Sequence, residues 1–441
     1  MKIQLSDHFT YGKLIRFSIP SIIMMIFTSI YGVVDGLCVS NFAGKIPFAG
    51  LNLIWPYIMA LGSLGFLIGT GGTALISKTL GMGDRKKANE IFSLLTVVCI
   101  VCGVILTVLA LIFLRPVAIM MGAEGEILEC AVLYGWIVLP AATAYILQFA
   151  FQSFCVAAEK AKLSLIMTVA SGVCNIVMDL LLVPKFGLAG AAFATGFSQY
   201  VGAAIPLVYF ARSNSSLLRF VKFRMDFRAL WRTLTNGSSE LVSNLSMSII
   251  GILYNLQLLA YAQENGIAAY GVIMYVNLIF LSIYIGFVIG VAPLFGFNRG
   301  ADNRPELKNL FRKSMVIITV TSVAMTGLGI LLARPLAMIF VGYDQTLMDM
   351  TTRGMVLYSL SFLLCGFNLF GSNMFTALNN GLISAIISFV RTLLCQVAAL
   401  LILPEIWGLD GIWLAITAAE LAALIVTVVC FILFRKKYHY A

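Results

Sequence analysis

The chain has 441 residues, of which 61% are hydrophobic and only 11% charged, and its mean hydropathy is +0.99. Soluble domains carry about half apolar and about a quarter charged residues, so this balance excludes a soluble fold. The net charge of +10 does not point to nucleic acid, because the basic residues sit in gaps between apolar blocks, where they set topology and meet anionic lipid.

The apolar blocks run roughly 20 to 27 residues, the length a helix needs to cross about 30 Å of hydrocarbon. Twelve spans are expected, at about 14–42, 51–76, 91–113, 131–156, 163–183, 188–210, 237–262, 268–297, 312–333, 353–376, 383–403 and 409–434. The polar start (Ser6, Asp7, His8, Thr10) has no cleavage signal, so the first block is expected to stay as a span. Of 29 Lys and Arg, 23 fall on the side that holds both termini, five on the other (Lys45, Arg115, Lys185, Arg334, Arg353), and Arg391 falls inside a span. That bias places both termini in the cytoplasm. The nine cysteines lie mostly in apolar spans and act as small hydrophobes; Cys99 and Cys102 form a C-x-x-C with no histidine nearby.

Two copies of one unit follow each other. Gly65-Phe-Leu-Ile-Gly69 answers Gly286-Phe-Val-Ile-Gly290, Arg115-Pro116 answers Arg334-Pro335, Ser164 answers Ser384, Pro184 answers Pro404, and Gly187 to Gly190 answers Gly408 to Gly411. Matches in this order along the whole chain mark an internal repeat. Six helices per unit is even, so the expected fold is all-α, two six-helix bundles related by a pseudo-two-fold along the membrane normal, with a cavity between them. The lobes are 1–210 and 237–441, joined by a basic linker at 211–236.

A charge inside the membrane costs about 2.5 to 3.5 kcal/mol on the insertion scale and needs a reason. Counting from the span ends puts Asp35 and Asp179 at similar depth in the outer half, with no Lys or Arg at that level in their lobe. Asn175 shares a helix face with Asp179, four residues on, and Thr195 falls in the same half. Two carboxylates, an amide and a hydroxyl without a base either bind sodium or take up a proton. Arg391 and Glu420 lie near mid-depth on consecutive helices and read as a buried, mutually neutralising pair. Glu240, near the start of the seventh span, suits either a water-reached surface or the cavity.

These residues resemble the MATE (multidrug and toxic compound extrusion) family, in its MepA-like and DinF-like bacterial branch. The resemblance spans the whole chain and rests on Val33-Val-Asp35-Gly36, Gly81-Met-Gly-Asp84, Asn175-Ile-Val-Met-Asp179 and Gly187-Leu-Ala-Gly-Ala-Ala192. It implies export of bulky, often cationic and aromatic compounds driven by sodium or protons, and a cation site at Asp35, Asn175, Asp179 and Thr195. It also implies bending of the first helix at Pro20. The seventh span, Asn236-Gly-Ser-Ser-Glu240, lacks the proline common after the glycine. At an offset of 220, Asp35, Asn175 and Asp179 fall on Asn255, Cys395 and Ala399, so the second lobe is expected to lack the site.

The reading is therefore an alternating-access antiporter without cofactor, monomeric, surrounded by lipid, using sodium or a proton as coupling ion. Tyr31, Gln148, Asn255, Tyr275 and Glu240 are the expected contacts for small organic substrates. A lipid-linked precursor flippase is the nearest rival, but it needs a strongly basic cavity and one Arg391 does not make one. A membrane enzyme would need a catalytic set; His8 and His439 lie at the termini, and no H-E-x-x-H or G-x-S-x-G occurs.

Overall fold

A computed structural model describes residues 3–440, apart from the side chains of Lys45 and Glu264. Lys2 and the Lys45 side chain, counted above for topology, lie outside the described residues. Among the described residues, eleven helices are long and apolar enough to cross a membrane, and a helix pair bent by 45° makes a twelfth when taken as one span. They are α1 (Tyr11–Phe42), α2 (Ile46–Gly81), α3 (Arg85–Met120), α4 (Gly125–Ala157), α5 (Ala161–Phe186) and α6 (Leu188–Ala211). The second set is α7 (Phe227–Gln263), α8 (Asn265–Gly300), α9 (Arg304–Val341), α10 (Gln345–Ser359 and Phe362–Ala377), α11 (Gly381–Trp407) and α12 (Leu409–Tyr438).

Four helices, α3, α7, α9 and α10, begin well before their apolar blocks because a side-chain cap, not hydropathy, sets where they start. Asp84 accepts from the Lys87 amide at 2.9 Å, Asp226 from Ala229 at 3.0 Å, Asn303 from Glu306 at 3.2 Å and Asp344 from Leu347 at 3.1 Å. Each satisfies an amide that the first turn leaves open. The cap at Asp226 also shortens the expected linker, whose last residues form the first turns of α7. The irregular remainder is pinned to α3. Arg85 donates to the carbonyls of Leu217 and Ser216, the Arg219 amide donates to Asn89 at 2.8 Å, and Phe220 stacks on Phe92.

The repeat is written in the backbone as well as in the side chains. Left-handed φ values occur at Gly44 and Gln263, Gly83 and Asp302, Glu159 and Asn379, and Gly187 and Gly408. α4 breaks into a 3-10 turn at Leu139–Ala141, and α10 breaks at the corresponding place, between Ser359 and Phe362. The offset steps from 219 at the first two pairs to 220 at the third and 221 at the last. The last step falls inside α11, where a π-turn spans Val390–Leu394 while α5 runs unbroken. A π-turn is one inserted residue. Pro184 and Pro404 are therefore one position out of register: the amide of Gly187 bonds to Val183, and that of Gly408 to Pro404.

The lobes meet closely at the end that holds both termini. A Cβ at Gly71 would collide with the Thr233 carbonyl, one at Gly237 with that of Leu67, one at Gly81 with that of Phe297, and one at Gly300 with that of Lys78. Gly286 and Gly290 pack on Ile22 and Ser18 of α1, whereas Gly65 and Gly69 pack inside their own lobe on α4. In the other half of the molecule, Gly32, Gly251 and Gly271 meet nothing within 4 Å. Small residues let helix backbones approach, so the glycines make a seal at one end only.

Candidate functional site

Two polar clusters lie within the membrane-spanning helices, one per lobe, and they differ in charge. In the amino-terminal lobe, Asp35 comes from α1, Asn175 and Asp179 from α5, and Thr195 from α6; all four are buried. α5 can lie close to α1 because residue 172 is glycine: a Cβ there would collide with Phe27 and Tyr31. The Asp35 carboxyl consequently faces Asp179, Thr195 and Asn175. Asp35 Oδ1, both Asp179 oxygens, Thr195 Oγ1 and Asn175 Nδ2 are buried without a hydrogen-bond partner.

A fifth member was not legible beforehand. Tyr134, from α4, is fully buried, faces Thr195 and both aspartates, and its hydroxyl also lacks a partner. In the sequence it sits in an unbroken apolar stretch, where a tyrosine reads as packing. Buried polar groups without partners are uncommon, and a convergent set of them marks a place built around something that supplies the missing interactions. The donors are carboxylate, hydroxyl and amide oxygens, once the Asn175 amide is turned about its last bond. Such a set suits a hard monovalent cation or a proton, and the cluster contains no base to compete.

The register correction matters here. With the offsets that the backbone shows, Asp35 corresponds to Tyr254 rather than Asn255, Asn175 to Gln396 rather than Cys395, Asp179 to Leu400 rather than Ala399, and Thr195 to Ile416. Tyr254 is indeed fully buried beside Ile416, as Asp35 is beside Thr195. The second lobe carries no carboxylate at any of these positions, so the acidic cluster is single.

The carboxyl-terminal lobe holds the second cluster. Arg391 Nε donates to Glu420 at 2.8 and 3.1 Å, Asn368 donates to Glu420 at 2.7 Å, and Thr427 donates to Asn368 at 2.7 Å. The π-turn in α11 carries Arg391. Arg391 and Glu420 line a cavity of about 360 Å³ between the lobes, as do Glu240, Tyr254, Tyr270 and Tyr358, and the first lobe contributes Met25, Phe66 and Thr70.

Of the five expected substrate contacts, Glu240 lines this cavity, beside Asn373 and near enough to feel the Arg391 charge. The other four do not. Tyr31 packs against Gly172 near Asp35, Gln148 is buried within the first lobe against Gly202, Asn255 is exposed, and Tyr275 stacks outside the cavity on Phe340. Asn255 and Tyr275 each miss by one residue, because Tyr254 and Met274 hold the inward positions. One residue on a helix is a turn of about 100°, enough to move a side chain from wall to outer face.

The MatE family model matches the chain twice, at residues 20–181 and 241–401, one match in each lobe. The chain belongs to the MatE family of membrane transporters. This MatE protein is 25% identical over 427 residues to the multidrug export protein MepA of Staphylococcus saprophyticus, covering 96% of this chain and 94% of that one. It is 26% identical to MepA of Staphylococcus aureus over the same shares. A MATE crystal structure in complex with MaL6 superposes with a TM-score of 0.92 at 23% identity, over 98% of both chains. The outward-facing conformation of a multidrug resistance MATE transporter of the MOP superfamily also gives 0.92, at 22% identity over 98% of both chains. These likenesses show that the MatE protein shares the MATE fold.

Proposed function

We propose that this MatE protein is a cation-coupled multidrug efflux antiporter, with both termini cytoplasmic. The observation that carries the reading is the convergence of Asp35, Asp179, Asn175, Thr195 and Tyr134, from four helices, into a buried oxygen cluster with no base. Its charge is balanced by the coupling ion, sodium or a proton. The cavity supplies the other half of the cycle: apolar and aromatic walls with a few polar anchors suit bulky organic compounds. Two acids and one base on its wall favour cations and disfavour the basic pocket a lipid-pyrophosphate flippase needs.

Coupling works by differential affinity. An ion favours one state of the transporter only by binding it more tightly than the other. Asp35 stands on α1, and the same helix packs on the opposite lobe through Ser18 and Ile22. Filling the acidic cluster draws α1 towards α5 and changes that contact, which favours release of the substrate on the far side. Pro20 lies between the two packing residues. It lacks the amide that would bond to the Arg16 carbonyl, so α1 bends there at low cost.

Transport of a fluorescent organic cation into inverted vesicles, with a sodium gradient and a pH gradient imposed separately, tests the reading. Uptake driven by one of the two is expected. Uptake indifferent to both overturns antiport.

A further inference from the structure

Glu240 and Arg391 line the same cavity, near enough for the Arg391 charge to act on Glu240, without forming an ion pair. Glu240 comes from α7 and sits beside Asn373; Arg391 comes from α11 and is held from behind by Glu420. Only the Nε of Arg391 makes hydrogen bonds to described residues. Its two Nη groups make none, and the residue lines the cavity. The rings of Tyr254, Tyr270 and Tyr358 line the same cavity, the first two stacked with centroids 4.7 Å apart.

Each part fits one part of a molecule. Glu240 is a carboxylate with no base against it, suited to an ammonium or amidinium group. The Nη edge of Arg391 is a planar two-donor fork, suited to a carboxylate. The stacked tyrosines offer a flat apolar surface to an aromatic ring. Glu420 is taken up by Arg391 Nε and by the Asn368 amide, which Thr427 holds in turn.

We propose that the carboxyl-terminal wall is a bipolar subsite for amphoteric aromatic compounds, which place their cationic group on Glu240 and their carboxylate on Arg391. The inference rests on the export reading above and narrows it. A simple cation uses Glu240 alone, and a simple anion meets two acids for one base. The preferred order is zwitterion, then cation, then anion.

The test uses the full-length protein in detergent and two probes: an aminoxanthene dye with a free benzoate, and the methyl ester of the same dye, which keeps the cation and masks the carboxylate. Fluorescence anisotropy gives both dissociation constants. The free carboxylate is expected to bind about tenfold tighter or better, the worth of one charge-assisted bond. Replacing both members of the pair, Arg391→Gln with Glu420→Gln, avoids an orphaned buried charge and is expected to bring the two dyes to parity. Glu240→Gln is expected to weaken both dyes while their ratio holds. Equal binding of the two dyes by the unmodified protein, or a preference that survives the double substitution, overturns the subsite and leaves the export reading standing. Binding of neither dye overturns the cavity reading, and the subsite with it.

Discussion

Arg391 and Glu420 meet at 2.8 Å inside the carboxyl-terminal lobe, with the Glu420 side chain 1% exposed and that of Arg391 13%. A buried pair of this kind contributes little net stability, yet breaking it leaves an uncompensated charge worth about 3 to 5 kcal/mol of destabilisation. Arg391→Met alone is therefore expected to cut the yield of monodisperse protein and lower its melting temperature. Arg391→Met with Glu420→Gln is expected to restore most of both. Size-exclusion yield and thermal unfolding in detergent decide it; an Arg391→Met protein as stable as the parent would show that Glu420 does not depend on its partner.

The pairing was legible in the sequence because a charge in an apolar span must be answered, and consecutive antiparallel helices fix which charges share a depth. The twelve spans, the repeat and the four-residue acidic set were legible for the same reason: hydropathy, spacing and charge are all written along one dimension. What escaped was rotation. The π-turn at Val390–Leu394 inserts one residue without any change in composition, so Asn175 matched Cys395 by counting but Gln396 in space. Tyr134 escaped because the same residue type serves as packing elsewhere, and only the approach of α4 to α1, α5 and α6 gives its hydroxyl polar neighbours.

The glycine seal makes a conformational prediction. Because a Cβ at Gly237 would overlap the Leu67 carbonyl and one at Gly71 the Thr233 carbonyl, Gly237→Val is expected to pry the lobes apart at the end that holds the termini. In a cysteine-free background, a single cysteine at Asn277 on the cavity wall reports access. The parent should label with an impermeant maleimide only from the side opposite the termini, and Gly237→Val from both. Labelling unchanged by the substitution would mean that this contact does not hold the seal.

The amino-terminal segment adds a second fastening at the same end. The Leu5 amide donates to Glu159 of the first lobe at 2.8 Å, while the Phe9 amide donates to Glu306 of the second at 2.9 Å and His8 Nδ1 lies 2.6 Å from that carboxylate. Lys313 and Asn309 donate to the Phe9 carbonyl, and the Leu5 and Phe9 side chains are fully buried. A strap bonded to both lobes resists their separation. Glu306→Ala removes one of its anchors on the second lobe and leaves Lys313 and Asn309, and bonds to a charged group are worth about 1.5 to 3 kcal/mol each. The substitution is expected to raise Asn277→Cys labelling from the side that holds the termini, and Glu306→Gln to raise it less, since the amide oxygen still accepts from Phe9. Equal labelling in the parent and both variants would assign the strap to folding alone.

The acidic cluster carries the most direct consequence. Asp35 and Asp179 face each other with no base in reach, and on the proposed reading their charge is met by the ion that drives transport. An amide keeps the shape of the carboxyl, but it cannot take up a proton and offers sodium no full negative charge. Asp35→Asn and Asp179→Asn are each expected to abolish gradient-driven export, to below about a hundredth of the parent rate, since the ion then loses the differential affinity that a coupling of about 3 kcal/mol supplies. Stability should hold or rise, because the substitution removes a buried charge and leaves no partner orphaned. Dye binding should survive in both variants while its dependence on sodium or pH disappears. Tyr134→Phe, which removes one oxygen and no charge, is expected to weaken the ion's effect without abolishing it, so that a higher ion concentration restores transport. Reconstituted Asp179→Asn protein that exports at the parent rate under an imposed gradient would show that the coupling ion binds elsewhere.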